Sequence, residues 1–458
     1  MTDFGKIHDY IQSKREEIVN ELCALVRIPS VSGTKEVNLV LDYTKALYEK
    51  NGFDCELRGD YLLSKFNEGK KNLGLFAHAD VVEAKGRWDM CENPFEPTVK
   101  GDTIFARGVT DDKGGIVVSL YAMKIIKELG IPFSSGIIAF IGSNEETTMQ
   151  DIKSYTKEYS PPTFSLVLDA GFPLYLGDKG ILWLDCIKNE KLHHLLDIRG
   201  GSATNIVLGE ATARIRYNEK LFSELAKNKE IKTLKSGDEI IVHAVGISSH
   251  GAMPQGSRNA GSMILNALFE AKSFSKADKE SLAFVSKILN SYDGRILEIE
   301  ASDCVFGDTT VTNGVLKIEN ERLEFSLDIR HGSTYTTEQH LNILEKVFEK
   351  EKISFKVKKQ GDANAVSEDN KYVMACMDAY RKHTGNENAT PHINVGATYS
   401  KFLKNSCEIG VSTKYPSVNL APGHGAAHQP DEALSIEGLL EALEITVKML
   451  IECDKIKE

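Results

Sequence analysis

The chain reads as an α/β protein, with one domain built on a mostly parallel central sheet flanked by helices, plus an inserted α+β domain. Three observations predict this. From Asn72 to Asp169 short apolar runs alternate with helical stretches, the rhythm of β-α-β units. Fragments rich in His, Asp and Glu follow those strands or open a helix, stop at Asp169 and resume only near His428, a gap far longer than a loop needs. At 458 residues and 41% hydrophobic content the chain exceeds one ordinary core and suits two or three units of about 150 residues.

Each element has its own signal. The first thirty residues carry charge throughout, with Ile11, Ile18, Leu22 and Leu25 at helical spacing, unlike the unbroken apolar centre of a signal peptide. Leu73 to His78, Ile137 to Ile141 and Phe164 to Leu168 are predicted strands. Gly114 to Leu129 is a predicted helix, because Ile116, Leu120, Met123 and Ile126 share one face. The domain expectation is residues 1–180 for the first part of the main domain, 181–367 for the insert and 368–458 for the second part. The insert opens on the alternating run Gly180 to Leu184 and includes another at Leu323 to Ile329. Tyr372 to Lys382 as helix and Glu408 to Val411 as strand then return the chain to the first sheet.

Charge and cysteine usage narrow the function classes. A formal net charge of -11 without a long Lys/Arg run argues against nucleic acid as a partner. Eight scattered cysteines with no CxxC point to a reducing, cytoplasmic setting. No stretch approaches the roughly 18 uncharged apolar residues of a membrane span.

The chemistry lies in His78-Ala79-Asp80, Asp111 to Gly115, Glu145-Glu146, Asp169 and the run His424 to His428. Two divalent ions about 3.5 to 4 Å apart need a bridging carboxylate, terminal carboxylates, imidazoles and a base for the water between them. His78 and Asp80 end a strand on one face, so His78 is expected as ligand and Asp80 as the acid that orients its imidazole. Asp111 opens a helix between glycines and can lend one oxygen to each ion. Glu145 and Glu146 diverge in extended backbone, so one can bind metal while the other takes a proton. Asp169 follows a strand, and His428 sits in a glycine-rich loop before the last helix. Oxygen and nitrogen ligands without thiolate suit Zn or Mn in a catalytic site.

These fragments, with Arg27-Ile28-Pro29-Ser30-Val31-Ser32, resemble in order and spacing the co-catalytic metallopeptidases that include carboxypeptidase G, acetylornithine deacetylase and PepV-type dipeptidases. The resemblance implies Asp111 as bridge, His78 and Asp169 on one metal, Glu146 and His428 on the other, Glu145 as general base, and a cis Asp111-Asp112 bond. It also implies that the insert is a lid. Its length matches the doubled lid of PepV-type enzymes, which imitates a partner subunit and implies a monomer. Within it, Ser248 to Pro254 resembles the motif whose histidine, here His250, meets the reacting carbonyl. Asn205 resembles the asparagine of the carbonyl region, and Arg330 the arginine that grips a C-terminal carboxylate. Asn394 to Tyr399 resembles the glycine-rich substrate loop, with Gly396 kept and Val395 in place of its first glycine.

The expected activity is cleavage of dipeptides bearing a free C-terminal carboxylate, through a metal-bridging hydroxide generated by Glu145. A deacylase of N-acyl amino acids is the alternative within the same chemistry, and a non-catalytic metal- or peptide-binding protein the alternative outside it.

Overall fold

The structure, a computed structural model, describes residues 4–457. It forms two compact units: residues up to Asp178 together with those from Ala365 onward, and the continuous segment Lys179–Asn364.

The first unit is built on a nine-stranded mixed sheet. Its centre is parallel: Asn72–His78 lies between Gly136–Gly142 and Phe164–Val167, and Ser406–Glu408 pairs with the far side of Phe164–Val167. Asp54–Arg58 and Tyr61–Phe66 add antiparallel at one edge. The central strands are buried along nearly their whole length, as a sheet covered on both faces requires. Their period of two divides them between two cores. Leu73, Leu75, Ala77, Ile137, Ala139 and Ile141 face the larger cluster, where the helices Lys113–Glu128 and Ile436–Asp454 are almost wholly buried. Phe76, Phe140 and Val167 face a smaller aromatic cluster with Tyr61, Tyr155 and Tyr399.

Helix ends are satisfied locally. Asp112 caps Lys113–Glu128 and Ser435 caps Ile436–Asp454, each side chain accepting from an amide of the first turn. At the other end of the last helix the Lys71 ammonium donates to the carbonyls of Cys453, Asp454 and Ile456 at 2.9, 2.9 and 2.6 Å, a cation where the helix dipole is negative. The run expected as a strand at Glu408 to Val411 is shifted: the ladder spans Ser406–Glu408 and leaves the sheet through Ile409, whose amide still reaches Val167.

The second unit holds another nine-stranded sheet, with antiparallel pairing throughout its ladders. Glu210–Arg216 and Glu239–Val245 alternate strictly between buried and accessible residues, the mark of a sheet covered on one face. Helices Ala260–Glu270, Lys276–Leu289 and Thr337–Lys350 contribute Ile264, Leu268, Leu282, Val285, Leu344 and Phe348 to its core. A Thr336/Gln339 capping box starts the last of these.

Candidate metal centre

Three neighbouring parallel strands deliver their carboxyl ends to one edge of the first sheet, where ligands of open α/β sheets gather. His78 is the last residue of its strand, Glu145 and Glu146 follow Gly136–Gly142, and Asp169 follows Phe164–Val167. Asp111 enters from the N-terminus of helix Lys113–Glu128, and the Asp111-Asp112 peptide bond is cis. His428 arrives from the glycine-rich loop with φ of 65°.

These side chains form two groups that share Asp111. His78, Asp111 and Asp169 make one, and Asp111, Glu146 and His428 the other. His78 Nε2 stands 2.9 Å from Asp111 Oδ1 and 3.8 Å from Asp169 Oδ2. His428 Nε2 lies 3.0 Å from Asp111 Oδ2 and 3.1 Å from Glu146 Oε2. Each Asp111 oxygen thus faces one imidazole, as a bridging carboxylate must.

The residues fit divalent cations. Glu145 Oε1 is buried with no hydrogen-bond partner, although buried polar atoms are normally paired, and the buried His78 Nε2 faces the carboxylates of Asp111 and Asp169. Asp111, Glu145, Glu146 and Asp169 crowd together against two imidazoles. Burial pushes the Glu145 carboxyl well above its usual range, and Asp169, Glu146 and Asp111 add to this against the pull of His78. Asp169 is raised by burial and by Asp111, and Glu146 by the same two causes. Burial disfavours the imidazolium of His428, yet Asp111 and Glu146 outweigh it and push the pKa up to about 11. Such an excess of negative charge is what bound cations offset.

The surrounding contacts hold these side chains in place. His78 Nδ1 bonds the main-chain carbonyl of Asp80 at 2.9 Å, while the Asp80 carboxylate stands 3.5 Å away. The imidazole is therefore oriented chiefly by the backbone. The Asp80 carboxylate accepts instead from Ser32 Oγ at 2.6 Å and from the amides of Glu145 and Glu146 at 3.2 and 3.3 Å. Asp112 joins the helix cap to the His78 amide at 3.3 Å.

Glu432, fully buried, accepts from Arg107 Nη1 at 2.5 Å and from the amides of Gly108, Thr110 and Asp111 at 3.1, 2.9 and 3.2 Å. It lashes the Asp111 loop to the His428 segment. Asp431 Oδ2 meets His424 Nδ1 at 2.6 Å, and its Oδ1 takes the amides of Asp89 and Met90. Asp89, His424 and Asp431 also cluster, but with both Asp431 oxygens engaged the group reads as a tether. Reading the sequence missed Glu432 and Asp431. Their signal was adjacency to the His428 loop, but their partners lie some 320 to 340 positions earlier.

Gly396 sits in the loop after strand His392–Asn394, its amide donating to Asn394 Oδ1 at 2.9 Å. In the second unit Asn205, His250 and Arg330 come together. Ile206 bridges to His250, and the Gly251 amide donates to Asn205 O at 2.7 Å. A Cβ on Gly251 would stand 2.6 Å from Asp328 Oδ2, so glycine is required where this turn meets Asp328. Asp328 in turn holds the buried Arg330 through Nε at 2.7 Å.

This fold and these paired ligand groups define a metallohydrolase. The chain belongs to the peptidase family M20/M25/M40, which matches residues 74–452. A relative from Staphylococcus aureus strain MRSA252 named "putative dipeptidase" is 27% identical over 470 residues, covering 96% of this chain and 97% of its own. Human carnosine dipeptidase 1 superposes with a TM-score of 0.61 at 14% identity, covering all of both chains. An M20 family metallo-carboxypeptidase from Sulfolobus solfataricus gives 0.61 at 15% identity, covering 96% of this chain and all of its own. At these identities the two structures share the fold.

Proposed function

We propose that the chain is a dipeptidase that hydrolyses the single peptide bond of substrates with a free C-terminal carboxylate. The observation that carries this reading is the pair of ligand groups sharing Asp111, with the buried Glu145 carboxylate beside them but in neither group. Family membership and the name carried by the S. aureus relative support it.

Two divalent cations, zinc or manganese, would be held by His78, Asp111 and Asp169 and by Asp111, Glu146 and His428, and when bound they polarise the scissile carbonyl and acidify the attacking water. Glu145 takes the proton of that water and returns it to the leaving amine, a task that suits a carboxylate whose pKa is raised by burial. His250 donates to the carbonyl oxygen as charge develops on it, with Asn205 beside it. Arg330, oriented by Asp328, offers its planar fork to the substrate carboxylate. Gly396 leaves room for substrate backbone at its loop. The eight cysteines are all free thiols, which agrees with a cytoplasmic enzyme. The doubled lid and the monomeric state belong to the same proposal.

A deacylase acting on N-acyl amino acids would use the same groups. Metal-stripped protein with Zn or Mn restored is therefore tested on a dipeptide panel and on matched N-acetyl amino acids. Metal-dependent release of amino acids from dipeptides alone is the expected result. Turnover confined to acyl amino acids replaces the reading with the deacylase, and turnover of neither leaves a binding protein.

A further inference from the structure

We propose that Asp151 and Tyr399 are positioning residues that couple the glycine-containing loop 394–398 to the general base, so that displacement of that loop is felt at Glu145. The proposal rests on the reading of Glu145 as base.

The main chain of the base loop has little slack, because two carboxylates hold four consecutive amides. Asp151 Oδ2 accepts from Ser143 and Asn144 at 2.7 and 2.8 Å, and Asp80 takes the next two from Glu145 and Glu146. Asp80 is anchored by Ser32 from the N-terminal part of the chain. Asp151 is anchored by Tyr399, whose hydroxyl donates to the same Oδ2 at 2.5 Å across 248 residues. Both Asp151 and Tyr399 are buried, so this contact is shielded from competing water.

Tyr399 is placed to transmit a displacement. It follows directly on loop 394–398 and opens the short helix Tyr399–Phe402, capped by Thr398. Behind it the loop is pinned by Asn394 Nδ2 on Glu408 at 2.7 Å and by the Thr398 amide on Asp178 at 3.3 Å. Its ring meets Phe140 edge-on at 5.4 Å and the His78 imidazole edge-on at 6.4 Å. Gly142, where the base loop leaves its strand, has no room for a Cβ, which would strike the Tyr399 hydroxyl and the Asp151 carboxylate. The tyrosine therefore sits between loop 394–398, the base loop and the ring of a candidate ligand.

The test uses the metal-loaded chain with whichever substrate it turns over, comparing Tyr399→Phe, Asp151→Asn and the double variant for kcat, KM and metal affinity. Misplacing a catalytic group by a fraction of an ångström to 1 Å costs up to about 100-fold in rate. Tyr399→Phe is therefore expected to lower kcat by about 10- to 100-fold with KM and metal affinity little changed. The double variant should be no worse than Asp151→Asn alone, since both remove one linkage. An unchanged kcat in Tyr399→Phe, a loss of metal that tracks the loss of rate, or strictly multiplicative single effects overturns the coupling. Should Asp151→Asn fail to fold, Tyr399→Phe still decides, because it removes only a hydroxyl. Glu145→Ala run in parallel keeps the two readings apart: turnover retained there removes the base assignment, whereas turnover lost there with Tyr399→Phe fully active removes only the coupling.

Discussion

The two units solve the same packing problem with opposite sheets. In the first, parallel strands are buried on both faces and point their carboxyl ends to one edge, so His78, the Glu145-Glu146 loop and Asp169 converge without special devices. In the second, antiparallel strands such as Glu210–Arg216 alternate buried and accessible residues, and successive strand ends point to opposite edges. Its candidate residues cluster through a turn at Gly251 and an ion pair at Asp328. A parallel sheet collects chemistry at a shared edge by topology, while an antiparallel one must do so through particular loops.

If the reacting groups divide this way, replacing them should separate the units. The largest effect is expected from Glu145→Ala, which should reduce kcat by about 100- to 10,000-fold with metal retained; titrating bound metal alongside the rate checks both halves. Next, His250→Ala should cost about 100- to 1,000-fold in kcat while leaving metal affinity untouched. Full activity in that variant would confine the chemistry to the parallel unit. Glu432→Gln should weaken metal binding by about 10- to 100-fold, as loss of a group supporting ligands does. Calorimetry showing unaltered affinity would remove Glu432 from that role.

The smallest effect concerns a buried pair in the first unit. Burial raises Asp178 to about 6 and, with Asp178 as neighbour, raises Glu408 to about 8. The Ser400 hydroxyl lies within hydrogen-bond distance of both carboxyls. Because folding raises these pKa values, the folded state holds more protons than the unfolded state above the ordinary carboxylate range. The stability they contribute is thus complete at acid pH and falls as pH rises through about 6 and then 8. Asp178→Asn should flatten the fall in melting temperature over that interval, and an unchanged slope would refute the assignment.

Much of the first unit was legible because local pattern and tertiary role coincide there. The apolar runs ending at His78 and Leu168 and the helix face of Ile116, Leu120, Met123 and Ile126 carry their own periodicity, and the acids and imidazoles follow directly. Asp80 was legible as a partner of His78, but that its backbone carbonyl makes the closer contact depends on strand-end geometry. Asp151 and Glu432 were not legible as parts of the site, and Tyr399 was legible only as the last residue of the loop Asn394 to Tyr399, not as a partner of Asp151. Each looks like an ordinary surface or core residue until a partner some 250 to 320 positions away is brought beside it.

The interruption of the first unit also sets an order of assembly during synthesis. His78, Asp111 and Asp169 all precede the second unit, so one ligand group is complete in sequence before that unit has left the ribosome. The other group, the Glu432 lashing of the Asp111 loop and the Ser406–Glu408 strand come only with chain that follows the second unit. A nascent chain can therefore gather the residues for one cation but not for both. The two candidate groups are therefore complete together only once the chain beyond the second unit has been made.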